Sequence, residues 1–146
     1  MLDCVVDAIV AVKLFISEAL SGEADFLFAA LESDPPARFY VPYLFYIECA
    51  NIFWKHVTRF GYPGALAREN LMKLRGLLLH NVPTATLLKE ALDIALSQGI
   101  TAYDAFYVAL AWQMAVPFIT ADERLVHKLR GSPYPLAWLG NLKVLI

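Results

Sequence analysis

Between Asp104 and Asp122 the chain reads DAFYVALAWQMAVPFITAD, and no residue between the two acids carries a charge. No other segment limits the possible folds as strongly. It has to be covered on nearly every side, because removing apolar area from water is what stabilises it. Tyr103–Ala115 has helical length and Pro117–Thr120 strand length, predicting a buried helix that feeds a buried strand. By itself this unit is compatible with plain core structure closed by two capping acids. A larger role requires acids elsewhere that the fold brings to the same place.

A membrane span needs about 20 mainly apolar residues. Ala105–Ala121 falls short of that and is interrupted by Gln113 and Pro117. The N-terminal MLDCVVDAIVAVK has acids where a signal peptide carries basic residues. The apolar content of 59% and mean hydropathy of +0.52 are therefore assigned to an α/β core and an oligomer interface in a cytoplasmic protein without a membrane segment. At 146 residues a single domain, 1–146, is expected. A net charge of −2 and a pI near 5.9 exclude a broad basic footprint for nucleic acid, but leave room for an acidic, metal-filled site with a local basic rim. Cys4 and Cys49 form no CxxC pair and suggest no zinc site with His56, His80 or His127; both are read as buried thiols.

Taken in order, Leu2–Val6 predicts a buried first strand, with Asp7 directly after it and a helix over Ala8–Ser17. Ser21 is expected to cap the next helix, which Asp34-Pro35-Pro36 ends. A strand over Phe39–Val41 follows, then Pro42 opening a helix over Tyr43–Val57 in which Glu48, Asn51 and Lys55 form one polar stripe. Leu66, Ala67, Leu71, Leu74 and Leu78 mark an amphipathic helix, and His80–Val82 a brief strand. Thr84–Gln98 predicts a helix with Leu88, Ala91, Leu92 and Ala95 inward, stopped by Gly99. After the opening segment come a helix over Asp122–Arg130, a last strand over Leu136–Leu139 and a tail, Leu142–Ile146.

Alternating strands and helices predict a three-layer α/β/α fold with a central parallel sheet. In such a sheet, helix N-termini lie at the carboxyl edge of the strands, where ligands bind. Asp7 ends a strand, Asp122 follows one, Asp104 opens a helix and Glu48 lies in a second helical turn, so all four can meet in one crevice. Thr101-x-x-Asp104 and Thr120-x-x-Glu123 also fit capping boxes, which is the purely structural alternative. Acids in apolar surroundings are costly unless paired or bound to metal, and like charges raise one another's pKa. Oxygen donors of this kind suit Mg²⁺ or Mn²⁺, and a metal-activated water attacking a phosphodiester is the natural reaction.

The segments VVDAIVAVK, IECANIFW, ITAYDAFYVALA and FITADERL, in this order, resemble PIN-domain proteins of the VapC toxin type. The resemblance covers most of the chain. It implies a Mg²⁺-dependent ribonuclease with an RNA substrate, a small VapB-type antitoxin as partner, and a homodimer. By position it implies that Asp7, Glu48, Asp104 and Asp122 are the catalytic, metal-binding acids. Thr120 would steady the site, Asn51 would support it, and Lys13 would contact phosphate or orient an acid. Lys55 and Arg59 are candidates for an RNA path, whereas Tyr103, Phe106, Tyr107 and Trp112 are read as core. One departure stands out: Ile9 occupies a position where the family often has a small hydroxyl residue. It keeps open an inactive PIN scaffold that binds RNA or protein. A phosphatase or receiver domain would want Asp-x-Asp at the first strand, which Asp7-Ala8-Ile9 lacks.

Overall fold

The computed structural model describes residues 2–33 and 35–142. Its sheet consists of β1 (Cys4–Val6), β2 (Phe39–Pro42), β3 (His80–Val82), β4 (Phe118–Thr120) and β5 (Leu136–Trp138). They lie in the order β3-β2-β1-β4-β5, and all neighbours are parallel. The helices are α1 (Ala8–Val12), α2 (Ser21–Phe28), α3 (Leu44–Phe60), α4 (Gly64–Arg75), α5 (Leu88–Gln98), α6 (Ala102–Met114) and α7 (Glu123–Lys128). Right-handed crossovers place α1–α4 on one face and α5–α7 on the other. The packing of α1 on α3, α3 on α4 and α5 on α6 follows that division.

The direction in which strands are added reverses between β1 and β4, which are themselves parallel: from β1 the sheet grows toward β2 and β3, and from β4 toward β5. The carboxyl ends of β1 and β4 therefore frame the topological switch point, the place where this class of sheet leaves a crevice. Both strands are short, apolar and fully covered. The uncharged segment behaves as its composition demands. Residues 107–111 of α6 are buried, and the Tyr107 ring stacks on Phe118 of β4 with centroids 5.3 Å apart.

Several local expectations are corrected. The first helix stops at Val12 because the chain tightens there, with Leu14 and Phe15 N–H groups bonding three residues back. Ser21 begins α2 rather than capping it; its hydroxyl donates to the Ile16 carbonyl, and Leu20 takes the cap position in a left-handed conformation. Pro42 is the last residue of β2, a strand end where its missing N–H costs no ladder bond, and α3 starts at Leu44. Thr84–Leu87 is a 3₁₀ turn, which rotates the following helix. Leu87, Ala91, Ile94 and Ala95 consequently face the core, while Leu88 and Leu92 are 57% and 54% exposed. Leu78 lies beyond the end of α4 and is solvent-exposed. Tyr103 and Trp112 also project outward from α6 instead of joining the core. Asp34 and all of the tail after Leu142 lie outside the described residues. Cys4 and Cys49 are free, buried thiols.

Candidate active site

Asp7 emerges from β1 as the N-cap of α1, its Oδ1 accepting the Val10 N–H at 2.8 Å. Its Oδ2 accepts the Thr120 hydroxyl at 2.5 Å. Thr120 ends β4, is fully buried, and its Oγ1 accepts the Asp122 N–H at 3.0 Å. One hydroxyl thus joins the ends of β1 and β4 across the switch point. Asp122 in turn caps α7, with Oδ1 accepting the Leu125 N–H at 3.2 Å. The expected capping box at Thr120 is therefore corrected: Asp122 caps the helix, and the Thr120 hydroxyl is held inward by the buried carboxylate. At α6 the cap is as expected. Thr101 accepts the Asp104 N–H at 3.2 Å, which places half-buried Asp104 in the first turn.

The fourth acid, Glu48, comes from the second turn of α3. Its Oε1 and the Tyr107 hydroxyl are both buried without a hydrogen-bond partner. The two groups influence each other, since the hydroxyl draws the Glu48 pKa down against burial, yet they fall short of hydrogen-bond geometry.

Three of the acids hold their protons more tightly than usual. Burial pushes Asp7 from 3.8 up to about 6; hydrogen bonds from Thr120, Val10 and Ala121 oppose this, and the Asp104 charge adds to it. Burial also raises Glu48, helped by Asp7 and Asp104. Asp104 is raised by burial and then by Asp122. The charges of Asp7 and Asp104 act on Glu48, that of Asp104 on Asp7 and that of Asp122 on Asp104, and none of the four forms an ion pair among the described residues.

Lys13 and Asn51 are placed differently from expectation. Lys13 is buried, but its Nζ pairs with Glu18 Oε1 at 3.1 Å, and Glu18 Oε2 lies 3.9 Å from His56 Nε2. It serves an acid outside the group of four, because the early end of α1 turns it toward the 17–20 loop. Asn51 is exposed on α3, and its side chain makes no hydrogen bond among the described residues. Lys55 and Arg59 are exposed on the same helix.

Three residues beside these acids were not anticipated from sequence. Tyr107 was read only as core, although it sits one turn after Asp104, a spacing that puts both on one helix face. Arg124 and Lys128 line a cleft of about 200 Å³ together with Thr101, Asp104 and Asp122. A larger hollow of about 500 Å³, walled by Tyr43, Tyr46, Leu71, Met72, Arg75 and Asn81, contains none of the four acids. The small cleft holds two of the four, Asp104 and Asp122.

The model of the PIN domain matches residues 4–130. The chain belongs to the PIN-domain family. It is 37% identical over 90 residues to Ribonuclease VapC3 of Pyrobaculum aerophilum, an alignment covering 56% of this chain and 63% of that relative. The chain thus spans less than two thirds of the relative's length. The crystal structure of PAE2754 from Pyrobaculum aerophilum matches with a TM-score of 0.69 at 24% identity, covering 99% of this chain and 88% of that one, a likeness of fold.

The donor chemistry of this PIN domain fits a hard divalent cation: carboxylate oxygens, no paired base, and a buried Glu48 oxygen without a partner. Among the described residues, no three His, Cys, Asp or Glu side chains are close enough to enclose an ion directly. Mg²⁺ keeps several waters and is commonly bound through one or two carboxylates, so it does not require three at once.

Proposed function

We propose that this PIN domain is a metal-dependent endoribonuclease, the toxin of a VapBC-type pair. The observation that carries the reading is the set of acids around the switch point: Asp7 joined through Thr120 to the end of β4, Asp104 and Asp122 sharing one cleft, and Glu48 buried with an unpaired oxygen, none of them in an ion pair among the described residues. Similarity to a relative named as a VapC ribonuclease supports it.

Asp7, Glu48, Asp104 and Asp122 would hold Mg²⁺, with Mn²⁺ as the alternative. When bound, the ion supplies an activated water and offsets phosphate charge. Thr120 fixes Asp7, so that carboxylate does not have to reorganise during turnover. Glu48 holds its proton more tightly than usual because it is buried, and its unpaired Oε1 would gain a partner when the ion is bound. Tyr107, facing Glu48 from α6, limits how that side chain can turn.

As partners we propose RNA, a small VapB-type antitoxin that covers the acidic crevice, and a second copy of the chain. The exposed apolar side chains Leu88, Leu92 and Leu96 of α5, one turn apart, support the homodimer.

Purified protein should cleave single-stranded RNA in Mg²⁺, and chelator or Asp104→Asn should abolish the cleavage. Cleavage that persists in chelator, or is untouched by the substitution, rejects the reading. Ile9, 44% exposed on α1 two residues after Asp7, favours a second reading as a scaffold that binds RNA or protein. An inactive wild type made active by Ile9→Ser would support that reading.

A further inference from the structure

We propose that Arg124 and Lys128 form a phosphate-binding arm of the active-site cleft, holding a backbone phosphate of single-stranded RNA beside Asp104 and Asp122. This deepens the ribonuclease reading and rests on it. Four residues apart on α7, the two side chains share one side of the helix and wall the same cleft as the two acids.

Both cations are exposed, and neither forms an ion pair among the described residues. The acid nearest to them on the helix, Glu123, faces His127 instead, at 3.6 Å. They therefore do not neutralise the catalytic acids, and their charge is available to a ligand.

The placement of Lys128 is constrained. A Cβ added at Gly99 would lie 3.8 Å from its Cε and Nζ, so its end crosses the C-terminal turn of α5 toward the cleft. Gly99, with φ +67°, closes α5 there and lies in contact range of the lysine end. A structural role for Lys128 at this negative helix end is the competing account, and it makes no demand on Arg124.

The charge around the cleft gives the physical reason for such an arm. Acids that raise one another's pKa repel an approaching polyanion, and the chain as a whole carries −2. A local pair of cations lets the phosphate chain enter from one side and sets its register on the acids. Arginine supplies a planar fork for two phosphate oxygens, and lysine a movable point charge.

The test measures binding of a labelled single-stranded RNA oligonucleotide by fluorescence anisotropy, in chelator, from 50 to 200 mM salt. Wild type is compared with Arg124→Gln, Lys128→Gln, the double variant, Lys128→Arg, Arg59→Gln as the rival RNA path on α3 and, as a control, Lys73→Gln on α4, whose side chain pairs with Glu69. Each lost phosphate contact should flatten the slope of log K against log salt by about 0.7 and weaken binding roughly three- to tenfold at low salt. Lys128→Arg should restore the slope and Lys73→Gln should leave it unchanged. With Mg²⁺, both Gln variants should raise KM and leave kcat nearly intact.

A double variant with the wild-type slope, with Arg59→Gln flattening it instead, overturns the arm and leaves the ribonuclease reading standing. If Lys128→Gln lowers Tm but not the salt slope, the helix-end account replaces the proposal. Salt-dependent binding through the pair in a protein that cleaves nothing in Mg²⁺ keeps the arm and rejects hydrolysis. A folded wild type that binds no RNA rejects both.

Discussion

Replacing Thr120 by valine removes a single oxygen that holds three parts of the site together. The side chain is fully buried, so no water replaces the lost group. Its hydroxyl donates to Asp7 Oδ2 at 2.5 Å, a hydrogen bond to a charged group, for which about 1.5–3 kcal/mol is typical. It also accepts the Asp122 N–H at 3.0 Å, for which about 0.5–1.5 kcal/mol is typical. Thr120→Val should therefore cost about 2–4 kcal/mol at pH 7.5, measured by urea unfolding. The cost should depend on pH. The Thr120 hydroxyl is the strongest of the contacts that hold the Asp7 pKa down, so without it the folded-state pKa rises beyond about 6. The penalty is complete above the variant's raised pKa, shrinks as the pH falls from there through about 6, and is smallest where Asp7 is neutral in both proteins. Thr120→Ser, which keeps the hydroxyl and loses one buried methyl, should cost only about 1 kcal/mol. A loss below about 0.5 kcal/mol for Thr120→Val, an equal loss at pH 5 and 7.5, or an equal loss for both variants would refute the argument.

Further expectations concern the same carboxylates and the end of α6. Burial raises Asp7 from 3.8 to about 6, so the folded state binds this proton more tightly than the unfolded chain does. The metal-free protein should gain stability as the pH falls from about 6 toward 4, by up to ~3 kcal/mol, and lose it again as the pH rises through 6. Asp7→Asn should remove most of this dependence in urea titrations while abolishing RNA cleavage. Mg²⁺ at ten times its Kd should stabilise wild type by about 1.4 kcal/mol at pH 7.5. Calorimetry should show that effect disappearing in Asp104→Asn; an equal Tm rise in that variant would count against the site. Ala115, exposed at φ 55°, holds a left-handed conformation that costs an L-residue about 1–2 kcal/mol. Ala115→Gly should raise stability by about 0.5–1 kcal/mol, after allowing for the greater freedom of glycine in the unfolded chain.

Much of the fold was legible because its signals are local. Uncharged runs of strand and helix length marked β1, β4 and α6, and the alternation of strands with amphipathic helices marked a parallel sheet. The family followed from four short segments that the PIN model also spans. Errors gathered where a side chain chooses between two nearby partners. Periodicity put Leu88 and Leu92 inside, but the 3₁₀ turn over Thr84–Leu87 rotated α5 and brought Leu87 and Ile94 inward instead. Lys13 looked available to the acidic group, yet Glu18, in a loop with no periodic signal, took it.

The sequence by itself determined that acids would flank a buried helix–strand unit, that the sheet would be parallel, and that Asp7, Glu48, Asp104 and Asp122 were the ones to watch. Only the tertiary structure decided how they are held. Thr120 could have capped its own helix, since its spacing from Glu123 allowed it. It turned instead to Asp7, 113 residues away, because a buried carboxylate at the switch point demands a donor more strongly than a solvated helix end does. Local spacing sets which hydrogen bonds are possible, and the burial of both partners sets which one forms.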